Sequence, residues 1–268
     1  MKFLCLGSGS SGNCYFLGTD EYGMLIDAGV GIKTVKKVLK ANGIDFQKIW
    51  AIFVTHDHSD HIKTVACLGE KYGIPVYATE AVHEGIAKNR YIGKPLYTSR
   101  RYIKKEVPFE WRDFTVTPFD VPHDGTDNVG FHIVHKKQRF TLVTDLGHIT
   151  ETVAKYICQS NHLIVEANYD EEMLSQGKYP DFLKQRISGP TGHLSNRETA
   201  EFLAQHFEPH LKNIWLCHLS KDNNHAELAC QTVETALSAY GIRVGKDVNL
   251  MALKRTSPSE VFNIECSE

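Results

Sequence analysis

No stretch of this 268-residue chain is apolar for long enough to span a bilayer, which excludes a transmembrane helix from the reading. The seven cysteines (Cys5, Cys14, Cys67, Cys158, Cys217, Cys230, Cys266) contain no Cys-x-x-Cys pair. Odd in number and scattered, they argue against a disulfide scaffold or a zinc ribbon and fit small core residues in a reducing compartment. There is no Pro/Gly/Ser-rich linker, no internal sequence repeat and no low-complexity tract, so a solenoid or a tethered assembly is not expected. A single domain over residues 1–268 is. The opening Met1-Lys2-Phe3-Leu4-Cys5-Leu6 meets Gly7-Ser8-Gly9-Ser10 too early to hold a signal-peptide core, and the expected location is cytoplasmic.

What is present begins with an uneven charge. The net charge is −2, but residues 88–105 carry seven basic side chains, three tyrosines and no acid. Removing those seven from the 30 basic residues leaves 23 against 32 acids, so the remainder carries −9. A basic, tyrosine-interleaved strip on an acidic background suits a polyanion; a solvated basic loop looks the same in sequence.

Apolar patterning predicts an α/β chain. Strands are expected at Lys2–Leu6, Cys14–Leu17, Met24–Ile26, Ala51–Val54, Val76–Ala78, Phe114–Phe119, Val129–Val134, Phe140–Val143, Leu163–Val165, Ile214–Cys217 and Val248–Ala252. Helical spacing appears around Val35, Val38 and Leu39, and over Ile62–Tyr72, Thr79–Ala87, Thr150–Ile157, Ser195–His206 and Ala226–Tyr240. Ser195 three residues before Glu198 is a capping box.

The densest chemistry lies at residues 55–61, Thr-His-Asp-His-Ser-Asp-His. Three imidazoles and carboxylates in so short a run form a ligand set of borderline softness, suited to zinc, manganese or iron. The run follows an apolar strand. Along an extended backbone His56 and His58 point the same way, while Asp60 and His61, past the strand end, turn toward a second ion. Partners are available where other apolar strands end: His123 in Val-Pro-His-Asp, Asp145 after Phe-Thr-Leu-Val-Thr, and His218 after Ile-Trp-Leu-Cys. His56, His58, Asp60, His61, His123, Asp145 and His218 are enough for two divalent transition-metal ions, Zn²⁺ or Mn²⁺.

With these motifs in order, and with Asp27 in Leu-Ile-Asp-Ala-Gly, nearly the whole chain resembles the metallo-β-lactamase superfamily. The resemblance implies a four-layer αββα sandwich. It also implies that His56, His58 and His123 hold one ion and Asp60, His61 and His218 the other, with Asp145 between them and Asp27 hydrogen-bonding the loop. Val165-Glu166-Ala167-Asn168 followed by Gly192-His193-Leu194-Ser195 is similar to the Glu-Ala-Thr and Gly-His-Ser-Thr pair of tRNA 3′-processing ribonucleases, in which the Glu–His couple protonates the leaving oxygen. Asn168 stands where those enzymes have Thr. The Leu6–Asn13 run and Cys217-His218-Leu219-Ser220-Lys221-Asp222-Asn223-Asn224 resemble the small bacterial YycJ/WalJ-type DNA exonucleases. The spacing between His123 and Asp145 leaves no room for a tRNA-gripping arm, and that between Asp145 and His218 none for a β-CASP domain.

Two-metal phosphodiester hydrolysis is the expected activity, with DNA favoured over RNA. Asp60 would orient the attacking water, and Glu166 and His193 would supply the proton for the departing sugar oxygen. A thioester or lactone hydrolase on the same metals, or a non-catalytic nucleic-acid-binding protein with a relict site, are the other readings. The remaining histidines (83, 132, 135, 148, 162, 206, 210 and 225) are expected to be structural or solvated.

Overall fold

The computed structural model describes residues 1–90 and 95–265. Part of the basic strip, residues 91–94, and Cys266 lie outside the described residues. The chain forms two compact units, one of residues 1–107, 125–128 and 254–268, the other of 108–124 and 129–253. Each is built on a seven-stranded sheet with its own helices and its own apolar core. Among the described residues no helix is long and apolar enough to cross a membrane.

In the first unit β1 (Lys2–Gly7), β2 (Cys14–Gly18) and β3 (Gly23–Ile26) form an antiparallel meander, extended at the β1 edge by β14 (Phe262–Asn263). From β3 onward the pairing is parallel, through β4 (Ile49–Phe53), β5 (Val76–Ala78) and β6 (Arg100–Tyr102). Parallel neighbours need crossovers, and α1 (Ile32–Ala41), α2 (Ser59–Ile62) and α3 (Glu80–Lys88) lie in them. The α1 stripe Val35, Val38 and Leu39 is buried in the core, worth about 1.5–3 kcal/mol per side chain, while its four lysines face outward.

The second unit repeats the plan. β7 (Phe109–Trp111), β8 (Phe114–Asp120), β9 (Val129–His135) and β10 (Gln138–Val143) are antiparallel; β11 (His162–Glu166), β12 (Asn213–Cys217) and β13 (Asn249–Ala252) continue from β10 in parallel. The crossovers carry α4 (Glu151–Cys158), then α5 (Glu171–Gln176), α6 (Asp181–Ile187) and α7 (Asn196–Gln205), and finally α8 (Ala226–Ala239). All five residues of β11 are buried, as expected for a strand covered on both faces. The predicted capping box at Ser195 and Glu198 opens α7.

All eleven expected strands are present, within two residues at each end. Three short ones were not expected: β6, β7 and β14, at or beside sheet edges, where pairing rather than apolar pattern makes the strand. β6 falls inside the basic strip, and Arg100 to Tyr102 form a charged edge of the sort that resists further strand addition. The short, polar α5 and α6 were also not expected; α6 buries no residue and so has no apolar face to read.

The helix expected over Ile62–Tyr72 is broken into α2 and a single π-helical turn at Cys67–Lys71. The cause is local. The amide of Thr64 donates to Ala28 O at 2.9 Å instead of bonding back to Asp60, whose carbonyl accepts from Asn13 N at 2.7 Å. The carbonyl of His61 accepts from Ala28 N at 2.7 Å. Gly29 permits this closeness: a Cβ there would lie 1.5 Å from Asp60 O.

Candidate metal centre

The site residues divide between the two units. In the first, Asp27 follows β3, held in the left-handed region at φ 58°. Its fully buried carboxylate accepts from Thr55 N and Thr55 Oγ1, both at 2.8 Å, and pairs with His61 Nδ1 at 2.7 Å. Burial pushes the Asp27 carboxyl up, opposed by His61 and by the Thr55 donors. With a carboxylate on Nδ1, that nitrogen is the donor of His61 and Nε2 the acceptor, the tautomer in which Nε2 is the metal-ligating nitrogen.

β4 stops at Phe53, so His56 and His58 lie in the turn beyond it rather than on extended strand. They still converge. The His56 ring is 4.6 Å from that of His58 and 4.0 Å from that of His61, centroid to centroid. Asp60 occupies the first turn of α2 with its Oδ2 3.6 Å from His61 Nε2.

Two positioning residues were missed in the sequence. Asn13, at the end of the Gly/Ser run, places Nδ2 3.2 Å from Asp60 Oδ2 and 2.9 Å from His61 Nε2, and its Oδ1 accepts from Gly9 N at 2.8 Å. The signal for this role was an Asn immediately before a buried strand. Asp57 accepts from Thr126 N at 3.0 Å and Thr126 Oγ1 at 2.5 Å, and its carbonyl accepts from Asn89 Nδ2 at 3.0 Å. It pins the turn between His56 and His58.

In the second unit Asp145 follows β10 at φ 52° and His218 follows β12 at φ 52°. Non-glycine residues held there cost of order 1 kcal/mol or more each, a strain the surrounding hydrogen bonds must hold in place. Glu166, the last residue of β11, is fully buried. Its Oε2 accepts from Leu146 N at 2.7 Å and Leu194 N at 3.2 Å, and its Oε1 is shared by His193 Nδ1 and His218 Nδ1, each at 2.8 Å. Ligand atoms of Asp145, Glu166, His193 and His218 all lie within 4.8 Å of one another. His123 is turned by Nδ1 donating to Gly192 O at 2.9 Å, and its Nε2 is 3.7 Å from Asp145 Oδ1. Asn168 does not disturb the cluster: Nδ2 donates to His218 O at 2.7 Å and sits 3.5 Å from Glu166 Oε1.

The charges here are set by mutual contact. Burial alone would raise the Glu166 carboxyl; the His193 charge and the bonds from His193 and His218 outweigh it and hold it below its ordinary value. Burial alone would lower His193, and Glu166 outweighs it so that the imidazole is raised. Each partner thus favours the charged form of the other.

Residues 23–211 match the family described as Beta-lactamase superfamily domain. The chain belongs to the metallo-β-lactamase superfamily. An Exodeoxyribonuclease WalJ from Streptococcus pneumoniae serotype 2 (strain D39 / NCTC 7466) is 34% identical over 246 residues, 92% of this chain and 91% of that protein. Exodeoxyribonuclease YycJ from Bacillus anthracis is 33% identical over 262 residues, 97% of this chain and 98% of that protein. The crystal structure of the metallo-beta-lactamase fold protein YhfI from Bacillus subtilis matches with a TM-score of 0.70 at 17% identity, covering 97% of this chain and 98% of that one, a likeness of fold. The expected α/β class and metallo-β-lactamase type are thus established, as two helix-flanked sheets. So is the expectation of a metal-dependent hydrolase.

A metallo-β-lactamase fold implies divalent metal ions, and the residues present fit them. The donors are imidazole nitrogens and carboxylates of borderline softness. In the second unit Asp145 and His218 offer ligand atoms within 4.8 Å of one another, and His61, His123 and His218 are turned by bonds at Nδ1, the arrangement in which Nε2 is the ligand.

Proposed function

We propose that this chain is a two-metal exonuclease that shortens DNA in the cytoplasm, residues 1–268 acting as one metallo-β-lactamase domain. The family match running from residue 23 to 211, across strands of both sheets, supports the single domain. His56, His58 and His123 would hold one ion and Asp60, His61 and His218 the other, with Asp145 shared. Zn²⁺ and Mn²⁺ suit this donor set best. Such ions, when bound, supply a nucleophilic water at neutral pH and offset charge on the phosphoryl oxygens.

The observation that carries the reading is the shared oxygen of Glu166. It holds His193 and His218 at equal distance, tying a proposed general acid to a proposed ligand through one buried carboxylate. Asp60, anchored by Asn13, orients the attacking water. His193 donates its proton to the departing sugar oxygen, and Glu166 stabilises the charge before transfer. A β-lactam or thioester leaves with less need for such an acid, whereas a sugar alkoxide is a poor leaving group. The names of the two relatives above support DNA as the polymer.

Chelator-stripped protein reloaded with Zn²⁺ or Mn²⁺ should release mononucleotides stepwise from end-labelled DNA, and faster than from RNA. Rapid turnover of thioesters or lactones with intact DNA would overturn the proposal.

A further inference from the structure

The C-terminal segment returns to the first unit along β1. Ser259 N donates to Cys5 O at 2.9 Å, Cys5 N donates to Ser259 Oγ at 3.0 Å, and β14 pairs with β1 at Lys2 and Phe3. This anchoring lays Arg255 against the Gly/Ser run that ends in Asn13. The carbonyl of Arg255 accepts from Ser8 N at 3.3 Å, and its side chain lies flat along Gly9, where an added Cβ would come within 3.1 Å of Nε and 3.2 Å of Cγ. Glycine at position 9 therefore makes room for a guanidinium. Gly9 N is in turn bonded to Asn13, whose side chain touches Asp60 and His61.

Arginine stays charged at any physiological pH, and burying its donors unpaired is costly. Yet among the described residues the buried Nε of Arg255 has no hydrogen-bond partner. Next to Gly9 in sequence, Ser10 and Ser11 are exposed, and Lys254 is exposed next to Arg255. The guanidinium, the two hydroxyls and the ammonium are all donors, and the carbonyl of Gly9 is turned away to Gly12 N at 2.8 Å.

We propose that Arg255, seated on Gly9, binds a phosphate of the DNA strand next to the scissile one, so that the Gly/Ser run and the C-terminal segment form a phosphate subsite beside Asp60 and His61. This deepens the nuclease reading and rests on it for the polymer, though not for the anion. Arg255 is a substrate-binding residue and takes no part in bond breaking.

The test uses chelator-treated full-length protein, so that binding is read without turnover. The Kd of a fluorescent single-stranded DNA hexanucleotide should rise about tenfold in Arg255→Gln, the scale of one lost charged hydrogen-bond pair. The slope of log Kd against log salt should fall by about 0.7. Arg255→Lys should restore the slope but only part of the affinity, because an ammonium lacks the fork. In the metal-loaded variant kcat/KM should fall further on the hexanucleotide than on bis(p-nitrophenyl) phosphate, which has a single phosphate. Inorganic pyrophosphate is titrated in parallel. Pyrophosphate binding that depends on Arg255, with no DNA bound by the parent, would sink the nuclease reading and keep the subsite. DNA bound equally by parent and Arg255→Gln would sink the subsite and keep the nuclease.

Discussion

The two units place the same residue type at the same point of the same strand plan and use it differently. In each, one strand is the switch from antiparallel to parallel pairing, and in each that strand is followed by an aspartate in the left-handed region, Asp27 after β3 and Asp145 after β10. Asp27 has its oxygens taken by Thr55 and His61 and supports a loop. Asp145 has Thr144 Oγ1 on one oxygen at 2.8 Å, while the other lies 3.2 Å from His218 Nδ1 and 3.7 Å from His123 Nε2. A switch strand end is a good place to set a carboxylate; whether it serves as a scaffold, as Asp27 does, or as the ligand proposed for Asp145 depends on which neighbours saturate it. Neither repeat nor difference is visible as sequence similarity, because strand pairing does not require the same side chains.

The largest way to break this comparison is to neutralise each aspartate in turn. Asp145→Asn should lose bound metal and nearly all activity, as should His58→Ala. Asp27→Asn should weaken metal affinity by roughly 10- to 100-fold, the usual cost of an orienting carboxylate, and leave detectable turnover. Equal loss of metal in the two asparagine variants, by elemental analysis, would erase the distinction drawn between them.

Next in size is the proposed acid. His193→Ala should keep its metals and lower kcat by roughly 10²–10⁴. Loss of an ion in that variant would place His193 among the ligands. The basic strip comes third. Neutralising Arg100, Arg101, Lys104 and Lys105 should raise KM for DNA and flatten its salt dependence, by at most about 0.7–0.9 per lost phosphate contact. The effect should fall short of four contacts, because Lys105 pairs with Asp127, and Arg101 Nη1 is engaged by the carbonyls of Thr98 and Arg100.

The smallest effect sharpens the comparison through acid stability. In the second unit burial holds both His132 and His162 down to about 4, against an ordinary 6.5. A histidine depressed in the folded state favours folding above its unfolded value, and that contribution is lost as pH falls from 6.5 to 4. His162 is fixed neutral: Nε2 meets Gln138 Oε1 at 2.9 Å, and Nδ1 accepts from Asn213 Nδ2 at 2.8 Å. His162→Gln should reduce the pH slope of unfolding free energy in this window by up to about 1.4 kcal/mol per pH unit, measured by denaturant titration. An unaltered slope would mean that the histidine titrates normally.

Much of the candidate site was legible because its residue types rarely cluster. His56, His58, Asp60 and His61 are adjacent in sequence, and His123, Asp145 and His218 each follow a readable apolar strand. Asn13 and Asp57 were not legible: their roles come from hydrogen bonds to segments 48 and 69 residues away, which no local pattern encodes. The broken helix at 62–72 failed for a related reason. Its apolar spacing is helical, but its first carbonyls bond to Asn13 and Ala28, and tertiary acceptors overrode local preference. The edge strands were missed because a strand of two or three residues has no period to detect.

That diversion of the Asp60 and His61 carbonyls bears on how metal binding is linked to folding. In a zinc finger the ligand loop has no form without its ion, and chelation unfolds it. Here the turn that bears the proposed ligands is stitched by main-chain bonds to two other loops, so its shape is maintained by the polypeptide itself. Metal uptake then resembles the filling of a finished socket, with little conformational entropy lost on binding, and stripping the ions should silence the enzyme while leaving its cooperative unfolding intact.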